Sequence, residues 1–336
     1  MENEENKYVV FTQKYGHYII AALAILAFGF LFLPLLKVIP ESGDAFNLAL
    51  YSYVNSPIRL KWTMYLAVAF LLTGIVFVLL KDVQKAFLPI GTYCLILAVV
   101  LIALTRKFYK LGLVEDASVK MMYGLYLSIA FVSLAALFAL TLSYSKEKMT
   151  VRDIAEEGML LALAFVLNLI TFYKAPTGGS VNLQMLPLFI LAIRHGPTHG
   201  LVACGIIYGF LTMVTDGYGF ACYPFDYLIA FGGIAVLGAF KPLIFNKLRE
   251  QGKTAQSYVL GLSMILVGGI LATGFRFAGS LMSSVFIWEY SLLEGIVYNL
   301  SYVPLSGGLA TALTMALYPA LVVLNDRFPV KHSLLY

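Results

Sequence analysis

Apolar runs of about 20 residues, each long enough to cross a lipid bilayer as a helix, recur along this chain of 336 residues. Hydrophobic residues make up 60% of the sequence and charged residues 12%, and the mean hydropathy is +0.85. An ordinary soluble domain carries about twice this share of charged residues. The sequence therefore predicts an all-α polytopic membrane protein and argues against a soluble fold.

The apolar runs predict about ten transmembrane helices in two groups. The first group comprises the segments 17–38, 62–80, 87–105 and 121–144. After a polar segment, the second group comprises 153–173, 182–194, 198–215, 224–241, 257–288 and 293–324. We expect the helix over 257–288 to bend near Gly274 or Gly279. The polar segment predicts a four-helix domain of unassigned role over residues 1–147 and a six-helix domain over residues 148–336.

Basic residues predict the orientation in the membrane. Lysine and arginine concentrate in alternate loops, as expected for cytoplasmic loops, although the basic loop 105–120 falls on the outer side. An even number of spans places both termini on one side, so this is predicted to be a multi-pass plasma membrane protein with cytoplasmic termini. The net charge of +5 is spread over short loops, which argues against a nucleic-acid partner and leaves lipid as the surroundings.

Two carboxylates interrupt the predicted spans without a basic residue nearby in the sequence. Asp226 and Glu294 would each be costly at membrane depth unless they faced a cavity or a partner. Aromatic and amide side chains flank them in the sequence: Tyr223, Tyr227, Trp288, Tyr298 and Asn299. Because carboxylates and aromatic faces hold organic cations, the pattern predicts a pocket for a small ring-bearing cation.

Other interpretations of these residues stay open. The acids could form a buried ion pair with Arg276, and the aromatic residues could form an interfacial belt. The chain could be a secondary transporter whose acids bind protons or sodium ions, or a membrane enzyme that uses them in acid–base or metal chemistry. It could also be an accessory or sensory protein whose first half is the active part.

Several observations weigh against those rivals. Groups of four and six helices do not form two matching halves, and no sequence motif of a hydrolase is present. Pro197 separates His195 from His199, and the three cysteines form no CxxC pair. We therefore predict a protein that is not an enzyme and has no cofactor or metal.

Gly158 and Ala162 form a small-xxx-small pattern on the first helix of the second group. Small residues four positions apart share one face of a helix and allow another backbone to approach closely. The pattern predicts either packing inside the bundle or a docking face for another membrane subunit.

Residues 148–335 resemble the thiamine-specific substrate-binding (S) component of energy-coupling factor (ECF) vitamin importers. The resemblance is carried, in the order of the family, by the stretches 151–170, 178–217, 225–240, 276–288 and 298–302. It implies a six-helix bundle that binds thiamine, or a related cationic compound, near its outer face. It also implies that Gly158 and Ala162 contact a transmembrane coupling subunit, and that two cytoplasmic ATPase subunits supply the energy.

The resemblance also implies roles for individual residues. Asp226 stands where the family has a glutamate that faces the cationic ligand, and Tyr227 matches the aromatic residue that follows it. Trp288 matches a tryptophan that stacks on the ligand, and Asn299 matches an asparagine that hydrogen-bonds it. Arg276 matches a basic position of the fifth helix.

Three pocket positions depart from the family pattern. Ser280 replaces a histidine, Gly178 replaces a loop tryptophan, and Glu294 replaces a tyrosine. We expect Glu294 and Asn299 to hydrogen-bond the polar edge of a ring. The departures leave thiamine, a pyrimidine or thiazole precursor, and another amine-bearing compound as candidate ligands.

Overall fold

The structure is a computed structural model, and it divides the chain into two compact units, Met1–Ser145 and Lys146–Tyr336. It describes residues 2–40, 44–51, 58–80, 87–106, 109, 117–144, 149–175, 179–246 and 254–330. The predicted boundary at residues 147/148 lies close to this division.

The first unit consists mainly of four long helices. They are α1 (Glu2–Phe30), α2 (Ile58–Leu79), α3 (Phe87–Ala103) and α4 (Tyr123–Tyr144). Helix α1 packs against α4, and α2 packs against α3. Glycines allow the second contact, since a Cβ atom at Gly74 would lie 2.9 Å from Cγ of Leu95. Helices suit these apolar segments because lipid offers the backbone no hydrogen-bond partners.

A small antiparallel sheet joins the ends of these helices. Its order is β2 (Phe46–Leu48), β1 (Leu36–Pro40), β3 (Ala117–Met121), and Leu36 pairs with both Leu48 and Met121. The first predicted span, 17–38, was too long at its C-terminal end because α1 ends at Phe30. Pro34 follows that end, and its ring prevents a regular helix from continuing through it.

In the residues that the structure describes, the second unit contains seven main helices, a short π-helical segment (Pro242–Asn246) and one β-hairpin. The helices are α5 (Val151–Leu169), α6 (Met185–His195), α7 (Pro197–Asp216), α8 (Tyr223–Ala239), α9 (Ala255–Phe286), α10 (Leu292–Leu300) and α11 (Val303–Arg327). The hairpin pairs β4 (Thr171–Lys174) with β5 (Ser180–Asn182). Helices α6, α7 and α8 supply most of the fully buried apolar side chains.

Polar residues fix where several helices begin. The side chains of Thr150 before α5 and Thr254 before α9 each accept a hydrogen bond from the backbone N–H three residues later. In return, the side chains of Asp153 and Ser257 accept a hydrogen bond from the backbone N–H of the respective threonine. These reciprocal caps satisfy backbone N–H groups that the first helical turn leaves free. At the other end of α7, Gly217 adopts a φ of 74°, a left-handed conformation that glycine adopts at little cost.

Three segments in the described part of the second unit have the wide turns of a π-helix. They are Leu201–Tyr208 within α7, Tyr223–Ile229 at the start of α8, and Pro242–Asn246. Glycines bring α7 and α8 together, because a Cβ atom at Gly205 would lie 2.7 Å from Cα of Gly232. Such wide turns are rare and are found frequently at functional sites.

A charged cluster ties the N-terminal part of α5 to α6 and α7. Arg194 donates two hydrogen bonds to the carboxylate of Glu156. Nδ1 of His199 lies 2.6 Å from Oε1 of Glu157, and Nδ1 of His195 lies 3.2 Å from the same oxygen. We name these five residues the charged cluster. Both histidines and Arg194 are fully buried, so the cluster is part of the packing between the three helices.

The described residues confirm a predominantly helical membrane protein, and the count of ten spans stays a prediction. In the described part of the chain, five segments are long and apolar enough to cross a membrane: Trp62–Leu79, Tyr123–Ser143, Pro197–Asp216, Ala255–Phe286 and Leu292–Arg327. Four shorter apolar helices accompany them. Helix α9 continues without interruption past Gly274 and Gly279, and the bend expected near them stays a prediction. The last predicted span is instead divided into α10 and α11, because Pro304 excludes a regular helix through the preceding turn.

Candidate functional site

A cavity of about 670 Å³ opens within the second unit. Its walls come from the end of α5, the β-hairpin, the end of α7, the start of α8, the second half of α9, and α10 with the start of α11. The lining residues are Asn168, Leu169, Thr171, Lys174, Gly179, Ser180, Gln184, Thr212, Asp216, Tyr218, Asp226, Tyr227, Phe231, Arg276, Ser280, Ser284, Trp288, Tyr290, Tyr298 and Tyr302. This volume falls in the range of sites that enclose small organic molecules.

Three ionisable side chains from three helices reach the cavity wall. Asp226, on the first turn of α8, accepts a hydrogen bond from the hydroxyl group of Ser283 on α9. Asp216 is the last residue of α7, and its Oδ2 accepts a hydrogen bond from the Tyr227 hydroxyl at 3.1 Å. Arg276 of α9 is 6% exposed and lies over the ring of Phe231, at 5.4 Å from the ring centroid.

Aromatic rings cover much of the remaining wall. Trp288 is 48% exposed, and its ring meets the edge of Tyr218 at a centroid distance of 5.5 Å. Tyr298 contacts Tyr290 at 5.7 Å and Tyr302 at 5.4 Å. The exposed face of Trp288 leaves room for a ligand ring to stack, since aromatic pairs favour offset or edge-on contact at such distances.

Tyr218 lies in the loop that joins α7 to α8. Partial burial and the nearby Asp216 carboxylate raise the pKa of its hydroxyl above the usual range. Burial removes water from the phenolate form, and a neighbouring negative charge disfavours it further. Tyr218 therefore stays protonated at neutral pH and is a hydrogen-bond donor at the cavity mouth.

A layer of polar side chains supports the wall from behind. Asn299 is fully buried, and its amide donates to Oγ of Ser284 at 2.9 Å and to the carbonyl oxygen of Gly295 at 2.8 Å. Its Oδ1 accepts from the Tyr302 hydroxyl at 2.8 Å. Asn299 thus positions two cavity residues, Ser284 and Tyr302, and is not itself among the lining residues.

The β-hairpin is tied to α10 and α11 at the edge of the cavity. The backbone N–H of Gly179 donates to the Tyr298 hydroxyl at 2.7 Å. A Cβ atom at Gly179 would overlap the ring of Tyr302, so glycine is needed for this close approach. Gly178, the preceding predicted site residue, lies outside the described residues.

The structure brings some predicted site residues together and places others elsewhere. Asp226, Tyr227, Ser280 and Trp288 all line the cavity. Glu294 does not line it, because its exposed carboxylate accepts a hydrogen bond from the backbone N–H of Ser291 and caps α10. Tyr223 does not line it either, since its ring packs edge-on against Phe210 at 6.3 Å.

The sequence left several lining residues unassigned. Asp216 directly follows the predicted span 198–215 and precedes a glycine, so the sequence places it in a loop. Tyr218 lay in the same loop, and Gln184 lay in an apolar segment, where it accepts a hydrogen bond from Tyr208 at 2.7 Å. The only signal for Asp216 was a carboxylate at the end of an apolar run, and many solvated loops share that signal.

Gly158 and Ala162 lie on an exposed face of α5. A Cβ atom at Gly158 would have no neighbour within 4 Å. We call this exposed pair the docking face. Among the described residues, no group of three or more histidine, cysteine or acidic side chains could hold a metal ion.

Comparisons with known proteins match the second unit. The sequence profile of the family described as thiamine transporter protein matches residues 154–328, just over half of the chain. The thiamine transporter ThiT of Bacillus subtilis (strain 168) is 30% identical over an alignment of 177 residues, and the match covers 47% of this chain and 85% of that protein. A solved structure of ThiT from Listeria monocytogenes aligns with 51% of this chain and 97% of its own, at 20% identity and a TM-score of 0.42.

The family match covers the part of the chain that forms the cavity. The lining residues run from Asn168 to Tyr302 and therefore lie inside the matched range of 154–328. The resemblance stated from the sequence is confirmed at the level of the family. The chain belongs to the thiamine transporter protein family, whose members are membrane transporters and not enzymes.

Proposed function

We propose that this protein is the substrate-binding component of an ECF-type importer and that it captures thiamine, or a closely related organic cation, from outside the cell. A transmembrane coupling subunit and two cytoplasmic ATPase subunits would then drive release into the cytoplasm, where both termini would lie. The observation that carries the proposal is the cavity itself. It combines carboxylates with exposed aromatic faces, and it lies in the family-matched part of the chain.

The chemistry of thiamine matches this wall. Thiamine joins a positively charged thiazolium ring to a neutral aminopyrimidine ring. Asp226 would neutralise the cation, and the rings of Trp288 and Tyr227 would stack on the two heterocycles. A carboxylate and an aromatic face attract a cation more strongly where water is excluded, because the local dielectric constant is lower. Asn299 would act through Ser284 and Tyr302, and no cofactor is needed for binding.

The docking face supports the partner half of the proposal. Gly158 and Ala162 leave the backbone of α5 accessible on a face that no described residue covers near Gly158. Small residues at this spacing favour close helix–helix contact in a membrane. This surface would receive the coupling subunit.

Tryptophan fluorescence tests ligand capture directly. The chain has two tryptophans: Trp288 lines the cavity, and Trp62 lies in α2 of the first unit. In a Trp62→Phe variant purified in detergent, we expect thiamine to quench the remaining emission saturably. The expected Kd is below about 1 μM, equivalent to a binding free energy of about 8 kcal/mol.

Two further measurements make this test decisive. A Trp288→Phe variant, which keeps only Trp62, should show no saturable quenching. A folded Trp62→Phe protein that gives no response to thiamine and no calorimetric binding signal would refute thiamine capture. Uptake into vesicles should require the coupling and ATPase subunits with ATP, and uptake by the chain alone under an ion gradient would instead identify a secondary transporter.

A further inference from the structure

The cavity holds more charge than the sequence indicated, and these charges are not paired with one another. Asp216 and Asp226 face it from α7 and α8, and Arg276 faces it from α9. Among the described residues, no lysine or arginine nitrogen lies within ion-pair distance of either carboxylate. Charges at membrane depth usually pair with one another or serve a functional site.

Arg276 gives an independent sign that the cavity is built to be filled. Its side chain is 6% exposed and lines the cavity, and its Nη1 is buried with no hydrogen-bond partner in the described part of the chain. A buried donor without a partner is costly, so an unfilled cavity leaves the guanidinium incompletely satisfied. The ring of Phe231 lies against the guanidinium, at 5.4 Å from the ring centroid, and a ring face does not replace the missing hydrogen-bond acceptor.

Asp216 is held in a defined position, yet it stays accessible. The Tyr227 hydroxyl donates to its Oδ2 at 3.1 Å, while the residue as a whole is exposed to the cavity. Gly217 ends α7 directly after it in a left-handed conformation, so Asp216 marks the last helical turn. A ligand can therefore approach this carboxylate without displacing another side chain.

We propose that Asp216 is a specificity-determining residue which offsets the charge of Arg276, so that the cavity keeps one net negative charge and selects a monocation. This inference rests on the proposed function and extends it from Asp226 to a set of three charges. With Asp226 and Arg276 alone, the wall would be neutral and would discriminate weakly between a cation and its neutral isostere. Lys174 also lines the cavity, but it lies on the exposed strand β4, where water and salt screen its charge.

The test compares thiamine with a neutral analogue in which a thiophene ring replaces the thiazolium ring. Isothermal titration calorimetry gives a Kd for each compound. The selectivity ratio is the Kd of the neutral analogue divided by the Kd of thiamine, and a high ratio means that the protein prefers the cation. We expect Asp216→Asn to lower this ratio at least tenfold, mainly by weakening thiamine binding. Asparagine keeps the shape and an oxygen that can accept from Tyr227, so the variant removes little besides the charge.

A second variant separates a charge effect from a positional one. Asp216→Asn combined with Arg276→Gln returns the wall to one net negative charge, and we expect the selectivity ratio to recover most of its loss. Asp326→Asn is the matched control, because it removes an exposed carboxylate of α11 that does not line the cavity. It should change neither Kd.

Each result decides a different question. An unchanged selectivity ratio in Asp216→Asn would overturn the inference. If both compounds also bind more weakly by the same factor, Asp216 is a positioning residue for Tyr227. If Arg276→Gln prevents folding, the ratio measured for Asp216→Asn alone still decides. A folded wild-type protein that binds neither compound would refute the proposed function and, with it, this inference.

Discussion

Asp226 is the residue whose replacement best tests charge recognition in the cavity. Its carboxylate is fixed by Ser283 on the neighbouring helix and faces the space where a ligand would lie. We expect Asp226→Asn to weaken thiamine binding at least tenfold, or by about 1.4 kcal/mol, because the amide can hydrogen-bond but cannot neutralise a cation. Calorimetry measures the change, and the thermal midpoint of the ligand-free variant checks folding. Unchanged affinity in a folded variant would remove Asp226 from the site.

Charged and aromatic residues that line the cavity were easier to predict than the residues that support them. Asp226 and Trp288 stand out because such side chains are costly or distinctive within apolar segments. Glu294 stood out for the same reason, but it caps α10 at an exposed position. The sequence cannot distinguish these two acids, because the difference depends on which helix end each one occupies. The burial of Asn299 behind Ser284 and Tyr302 likewise depends on contacts between helices.

At the scale of helices, the site depends on how closely α8 approaches α9. Gly279 lies at this contact, and a Cβ atom there would overlap the backbone carbonyl oxygen of Phe225. We expect Gly279→Ala to lower the thermal midpoint and weaken thiamine binding, because overpacking costs about 1–3 kcal/mol and would separate Asp226 from Ser283. Gly274→Ala on the same helix is the matched control, since a Cβ atom there meets nothing within 4 Å. Equal effects of the two substitutions would contradict this role for Gly279.

The sequence predicted which segments are helical more accurately than it predicted where each helix ends. Apolar length predicted α2, α3 and α4 to within a few residues, because a bilayer sets the length of a span. The short strands were not predicted, since Leu36–Pro40 and Thr171–Lys174 continue apolar runs. Only their pairing with strands that follow later in the chain identifies them as strands. The division between α10 and α11 could have been predicted from Pro304, whose ring disfavours a helix through the preceding turn.

At the scale of the second unit, helix α5 connects three features along its length. The charged cluster holds its N-terminal part through Glu156 and Glu157, the docking face follows at Gly158 and Ala162, and Asn168 reaches the cavity. About 11 residues separate the cluster from the cavity, which corresponds to about 16 Å of helix. A partner bound at the docking face would therefore contact the same rigid helix that forms part of the ligand site.

A substitution in the docking face should disrupt binding of the partner subunit without affecting binding of thiamine. We expect Gly158→Leu to leave the Kd for thiamine unchanged, because a Cβ atom at Gly158 has no neighbour within 4 Å. The same change should abolish co-purification with the coupling subunit, since a leucine side chain prevents the close backbone approach that small residues allow. Gly308→Leu is the matched control, because Gly308 is also exposed with no neighbour within 4 Å of a Cβ atom. It should preserve both properties. Loss of thiamine binding in Gly158→Leu would instead show that this face of α5 supports the cavity, and intact co-purification would place the partner on another surface.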